Sequence, residues 1–318
     1  MFDYRYHALS LAAVLFALAL GVLIGVAIGD TNLVSSAKSG IVHNLNAEVG
    51  EARKQSETLQ DRLSEQEAFS KGLYPLAVHE LLNGRSVGLV FLGSASNQVN
   101  SLVKTAITQG DGTLATVVAM REPMNLSGLA REAAGTHYAG LCATTNAEGE
   151  CTPSPELVER FGELVGRQLV SGGALVDQEL LSRVRGGLMS AFDGQLTHLE
   201  GLVVVRSPEP EGIAAGASET DSRFENGLLA GATAAGVRPV GVELTTTQPS
   251  QVPWFKGHKL SSVDDLDGQA GQAALLYALA GNAGSFGVKA TADSLLPSVN
   301  ASAQGASAGS ATSTTGGP

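Results

Sequence analysis

The sequence predicts an α/β protein: a mainly parallel, Rossmann-like sheet domain, preceded by a transmembrane helix and a long helical, coiled-coil-like stalk. Three observations carry this reading. The first is an uncharged apolar run from Ala8 to Gly29. The second is a polar stretch with a heptad repeat between Val42 and Leu63. The third begins at Ser86, where short Val-rich runs alternate with segments of helical periodicity, the pattern of βαβ units. The 318 residues therefore divide into an N-terminal flank (1–7), a membrane helix (8–29), a stalk (30–83), an α/β domain (84–296) and a tail (297–318) that is expected to be disordered.

Within the first run only Ser10 is polar. At 1.5 Å per residue it gives about 33 Å of helix, enough to cross a bilayer. It exceeds the roughly 7 to 15 apolar residues of a signal-peptide core, so a retained anchor in contact with membrane lipid is expected. Tyr4 and Tyr6 are placed to sit at the head-group level beside Arg5. Gly21, Gly25 and Gly29 recur every four residues, a spacing that lets two membrane helices approach closely. Arg5 before the span and Lys38 after it barely separate the two orientations by charge.

In the stalk, Val42, Leu45, Val49, Ala52, Ser56, Leu59 and Leu63 alternate at steps of three and four. Such a seam serves a homo-oligomer, an envelope protein partner, or a helix lying on its own domain. In the α/β domain the runs Ser86–Gly93, Thr113–Met120, Gly201–Arg206 and Arg238–Thr245 read as buried strands, with a further strand expected at Gly173–Val176. Helices are expected at Asn97–Gln109, Pro155–Ser171, Ser222–Gly236 and Gly268–Leu279. The tail is Ser, Ala, Gly and Thr, too poor in large apolar side chains to repay ordering.

Composition excludes some functions. A formal net charge of −11 disfavours nucleic acid, and 5% aromatic residues leave few stacking platforms. In parallel sheets ligands bind beyond the carboxyl ends of the strands, which directs attention to the loops after Leu92, Met120, Arg206 and Leu244. The first, Gly93-Ser94-Ala95-Ser96-Asn97, carries neither GxGxxG nor GxxxxGK[ST]. No Ser, His and Asp set or HExxH motif is present, so no catalytic residues are assigned and an enzyme is not expected. Asp264, Asp265 and Asp267 precede a helix, where carboxylates either cap free amides or gather a hard cation. Cys142 and Cys151 are the only cysteines and flank a short polar loop. Three readings stay open for them: a disulfide of an oxidising compartment, a soft-metal site for Cu(I) with His137, Met120 and Met124, or two unpaired thiols.

With these residues set out, the chain resembles the MctB-type family of actinobacterial membrane-anchored envelope proteins, named for a mycobacterial copper transport protein. The resemblance rests on RYHALSLAAVLFALALGVLIG (5–25), SVDDLDGQAGQAALLYALAG (262–281), GSFGV (284–288) and the Leu295-Leu296-Pro297 ending. It implies a role in copper transport or homeostasis, with copper as the ion handled. It also implies a link to cell-division or peptidoglycan-processing partners through the stalk. No catalytic or cofactor-binding residues come with it. A lone membrane helix has no interior for an ion, so the expectation is a binding or accessory component in the cytoplasmic membrane, its C-terminal domain outside the cytoplasm, rather than a pore alone.

Overall fold

The computed structural model describes residues 4–28, 31–145, 151–172, 175–208 and 215–298. Gly29 of the glycine face, the side chain of Val42 and the tail from 299 onward lie outside them. The chain forms two compact units, 1–69 and 70–318.

The first unit is helical. Helix α1 (Tyr4–Ile28) starts four residues before the apolar run, taking in the interfacial Tyr4, Arg5 and Tyr6. The stretch Tyr4–Ala27 is long and apolar enough to cross a membrane. Helix α2 (Thr31–Val78) is continuous through the heptad region, and its last turns belong to the second unit.

The second unit is a seven-stranded sheet with helices on both faces. Its strands are β1 (Ser86–Leu92), β2 (Thr113–Met120), β5 (Met189–Gly194), β6 (Gly201–Arg206), β7 (Pro239–Val242), β8 (Ser261–Val263) and β9 (Ser285–Phe286). They lie in the order β5-β2-β1-β6-β7-β8-β9. All pair in parallel except β5, which closes one edge antiparallel to β2. A separate hairpin joins β3 (Cys142–Thr145) to β4 (Cys151–Pro153). The helices are α3 (Asn97–Gln109), α4 (Leu126–Glu132), α5 (Pro155–Ser171), α6 (Leu175–Leu188), α7 (Ala215–Ala234), α8 (Val252–Gly257) and α9 (Gln269–Leu279). The strand expected at Gly173–Val176 is corrected: Leu175 and Val176 open α6, and the strand follows that helix as β5.

Alternation along the strands assigns the two faces. Val87, Leu89 and Phe91 of β1, with Val203 and Val205 of β6, pack with α3, α9 and Tyr74, Val78 and Leu82. Val90, Leu92, Leu202 and Val204 point the other way, into a core with Phe161 of α5, Phe224 of α7 and Phe255 of α8. Strands β1 and β6 are buried on both sides, which is why these runs read as continuous apolar segments.

On the second face α5 and α7 touch backbone to backbone. A Cβ on Gly162 or Gly166 would overlap the carbonyl oxygens of Phe224 and Leu228 respectively, and one on Gly227 or Gly231 those of Glu159 and Glu163. Each helix carries its glycines four apart, so one bare stripe faces another. The contact depends on the missing methyl groups. Gly166→Ala is therefore expected to lower stability by about 2 to 3 kcal/mol through overpacking. At Gly186, where an added Cβ meets nothing within 4 Å, alanine should instead gain up to about 1 kcal/mol of helix propensity. Urea unfolding of the two variants followed by circular dichroism measures both.

Candidate functional site

The carboxyl ends of β1, β2 and β6 meet at the point where strand order reverses, the usual ligand crevice of a doubly wound sheet. Here Gly93 follows β1 with φ +97°. A Cβ at that position would come within 3.1 Å of the Ser207 side chain and 3.2 Å of Glu122 Oε2. The side chains of Ser207 and Glu122 thus lie close against the Gly93 backbone.

Further along the same edge, after β6, β7 and β8, lies a chain of buried charges. Arg206, the last residue of β6, donates from Nε to Glu225 Oε1 of α7 at 3.0 Å and from its guanidinium to Gln251 Oε1 at 2.8 Å. The guanidinium also lies 4.9 Å from the centroid of the Trp254 ring. Gln251 donates its backbone N–H to Glu243, the residue after β7. Glu243 is 2% exposed and pairs with Lys289 Nζ at 2.6 Å. The same ammonium donates to the carbonyls of Leu244 and Thr247 at 2.9 and 3.0 Å. The backbone N–H groups of Val288 and Lys289 donate to Asp264, the residue after β8. One network thus ties α7, three strand ends and the segment after β9.

The three aspartates separate within it. Asp264 holds the Val288–Lys289 backbone, and Asp267 accepts from the N–H and hydroxyl of Thr245. Asp265 is 3% exposed and stands at the start of α9. Its carboxyl is pushed up to about 7, by burial first and then by the charges of Asp264 and Asp267, while amides of Asp265 and Gly271 pull partly the other way. For Asp267 the hydrogen bonds from Thr245 and the Lys289 charge outweigh burial and hold the carboxyl below its usual range. Among the described residues no three His, Cys, Asp or Glu side chains gather in a way that could hold a metal ion.

The soft-ligand candidates Met120, Met124, Cys142 and Cys151 all border one hydrophobic core. Cys142 and Cys151 are joined by a disulfide across the β3–β4 hairpin, with Cα atoms 5.4 Å apart. In that state neither sulfur is a thiolate. Met120 ends β2 and is 1% exposed in the core. Met124 packs against the same core, its backbone N–H bonded to Asp221, while His137 is exposed. In the first unit, an added Cβ at Gly21 or Gly25 meets nothing within 4 Å.

Among the described residues one N-terminal helix is apolar enough to cross a membrane, a long helix follows it and a doubly wound domain comes next, which defines a class: an α/β-domain protein with an N-terminal apolar helix and a long helix before its sheet. The chain belongs to the MctB family, described as copper transport outer membrane protein, which it matches over residues 1–297. It is similar to the copper transporter MctB of Mycobacterium tuberculosis and to that of Mycobacterium bovis. Each is 24% identical over 300 residues, covering 88% of this chain and 92% of the relative.

Two measurements test the edge. Lys289→Met leaves Glu243 buried without its counter-charge and should cost about 3 to 5 kcal/mol of stability, read by thermal or urea unfolding. For Asp265 the folded carboxyl keeps its proton to higher pH than the unfolded one. Stability should then fall as pH rises from 3.8 to about 7 and level off above. Asp265→Asn should flatten that slope in unfolding curves taken across the range. Asp267 acts in the opposite sense, its contribution being lost only as pH falls below the ordinary carboxylate range.

Proposed function

We propose that α1 is a retained anchor in the cytoplasmic membrane, that the α/β domain lies outside the cytoplasm, and that the protein serves copper transport as a binding or accessory component rather than as a pore by itself. The observation that carries this is the composition of α1. Between Tyr4 and Ile28 it has no Cys, Met, Asp or Glu, and Arg5 and His7 stand in its first turn, at the N-terminal end. One helix uses its backbone polar groups internally and encloses no path, and a bare ion in lipid is costly. The disulfide supports an oxidising side for the domain.

The test has two arms. Cells lacking the protein should regain copper tolerance when the full chain is returned, and the purified chain reconstituted alone into vesicles should pass no copper. Unchanged tolerance overturns the copper role, and flux through the chain alone overturns the accessory role. Stoichiometric Cu(I) bound by the reduced chain and lost in Cys142→Ser/Cys151→Ser would select binding over the accessory alternative.

A second reading, a scaffold for a cell-division or peptidoglycan-processing partner, is favoured by the stalk. Leu45, Val49, Leu59 and Leu63 are 55%, 44%, 59% and 60% exposed on α2. Cross-linking along this face in cells should capture an envelope protein; a stalk that captures none counts against it.

A further inference from the structure

The exposed seam carries its own instructions for a partner. With Val42, Val49, Ser56 and Leu63 at heptad position a, positions d fall on Leu45, Ala52, Leu59 and Gln66. The flanking g positions are then Glu48, Gln55 and Arg62, and the e positions are Arg53, Gln60 and Glu67. In a parallel two-stranded coil each g residue faces the e residue five positions on in the other strand. Glu48 then meets Arg53 of the second copy, Gln55 meets Gln60, and Arg62 meets Glu67. Both flanking layers are opposite in charge, the middle one is neutral, and the twofold axis makes each pair twice.

Other registers lose this. A slip of one heptad sets Glu48 and Arg62 against Gln60, and Gln55 against Glu67 or Arg53, leaving no ion pair. A slip of two heptads sets Glu48 against Glu67 and Arg62 against Arg53, which is repulsion at both. Charges at e and g thus choose one register out of three. An antiparallel pair is removed by the anchor, because two copies inserted in one membrane carry their stalks in the same direction.

We propose that the stalk is one half of a parallel, in-register two-stranded coiled coil and that its seam is filled by a second copy of this chain. The inference rests on the retained anchor of the proposed function and is independent of copper. The seam alone is weak, since Ala52, Ser56 and Gln66 contribute little apolar area. Confinement to a membrane raises the effective concentration of one stalk for another and offsets that weakness. Gly21 and Gly25 leave a face of α1 open to close approach in the same pair.

The test uses the full chain in its native membrane, with single cysteines placed on the stalk; Cys142 and Cys151 are already joined and do not compete. Under mild oxidation Leu59→Cys and Leu45→Cys, at d, should form disulfide dimers, while Lys54→Cys and Ser64→Cys, at the outward f and b positions, should not. In the Leu59→Cys chain Arg53→Glu turns two attractions into two repulsions and should lower the dimer yield roughly tenfold. Adding Glu48→Arg should restore it. That rescue requires the two positions to face each other across copies, so a foreign helix on the seam would not reproduce it. Dimer yields at 45 and 59 no greater than at 54 and 64, or no rescue, overturn the proposal. A chain in the membrane fraction without cross-linking removes the pairing and leaves the anchor. A soluble chain that still cross-links removes the anchor and leaves the pairing, and a soluble chain that does not removes both.

Discussion

A parallel sheet has to be covered on both faces, and in this chain the tightest part of that cover is the contact between α5 and α7. Four glycines bring two helix backbones together where ordinary side chains would hold them 8 to 10 Å apart. The tight pair places Phe161 and Phe224 ring to ring, 6.1 Å between centroids, over the strands they shield. It also fixes α7, and therefore Glu225, relative to Arg206 at the end of β6. The buried charges at the sheet edge stand where they do because the helix layer is set to that precision.

Those charges engage the strand ends within the chain itself. In a nucleotide-binding sheet the strand ends offer free amides and glycine-rich turns to phosphate. Here the corresponding positions are engaged within the chain: Ser207 and Glu122 close around Gly93, Gln251 joins Arg206 to Glu243, and Lys289 answers Glu243 and two carbonyls. Buried ion pairs add little net stability against an apolar alternative, yet breaking one is expensive.

Much of the fold was legible from local pattern. The limits of α3, β2, α5 and β6 coincide with the sequence reading because their apolar residues repeat cleanly at helical or buried-strand spacing. The misplaced strand near Val176 came from a short apolar run that a helix start shares with a strand. The edge strand β5 was missed because its partly exposed residues, Met-Ser-Ala-Phe-Asp-Gly, carry no continuous apolar signal. Strands β8 and β9, at 3 and 2 residues, are too short to show periodicity. The edge network was hidden for a different reason: Arg206 and Glu225 lie 19 residues apart, and Glu243 and Lys289 lie 46 apart. No spacing rule joins them. The glycine pairs in GELVG (162–166) and GLLAG (227–231) were visible as a signal, since four-residue glycine spacing in two amphipathic helices marks close packing in water as it does in lipid.

Lys289 comes late in the chain, after every helix and strand of the domain. The chain is made from its N-terminus, so every strand of the sheet is synthesised before this residue arrives. Until it does, Glu243 faces a forming interior with no counter-charge. A product cut short before position 289 has every strand of the sheet but lacks the counter-charge of Glu243, the same loss that Lys289→Met imitates.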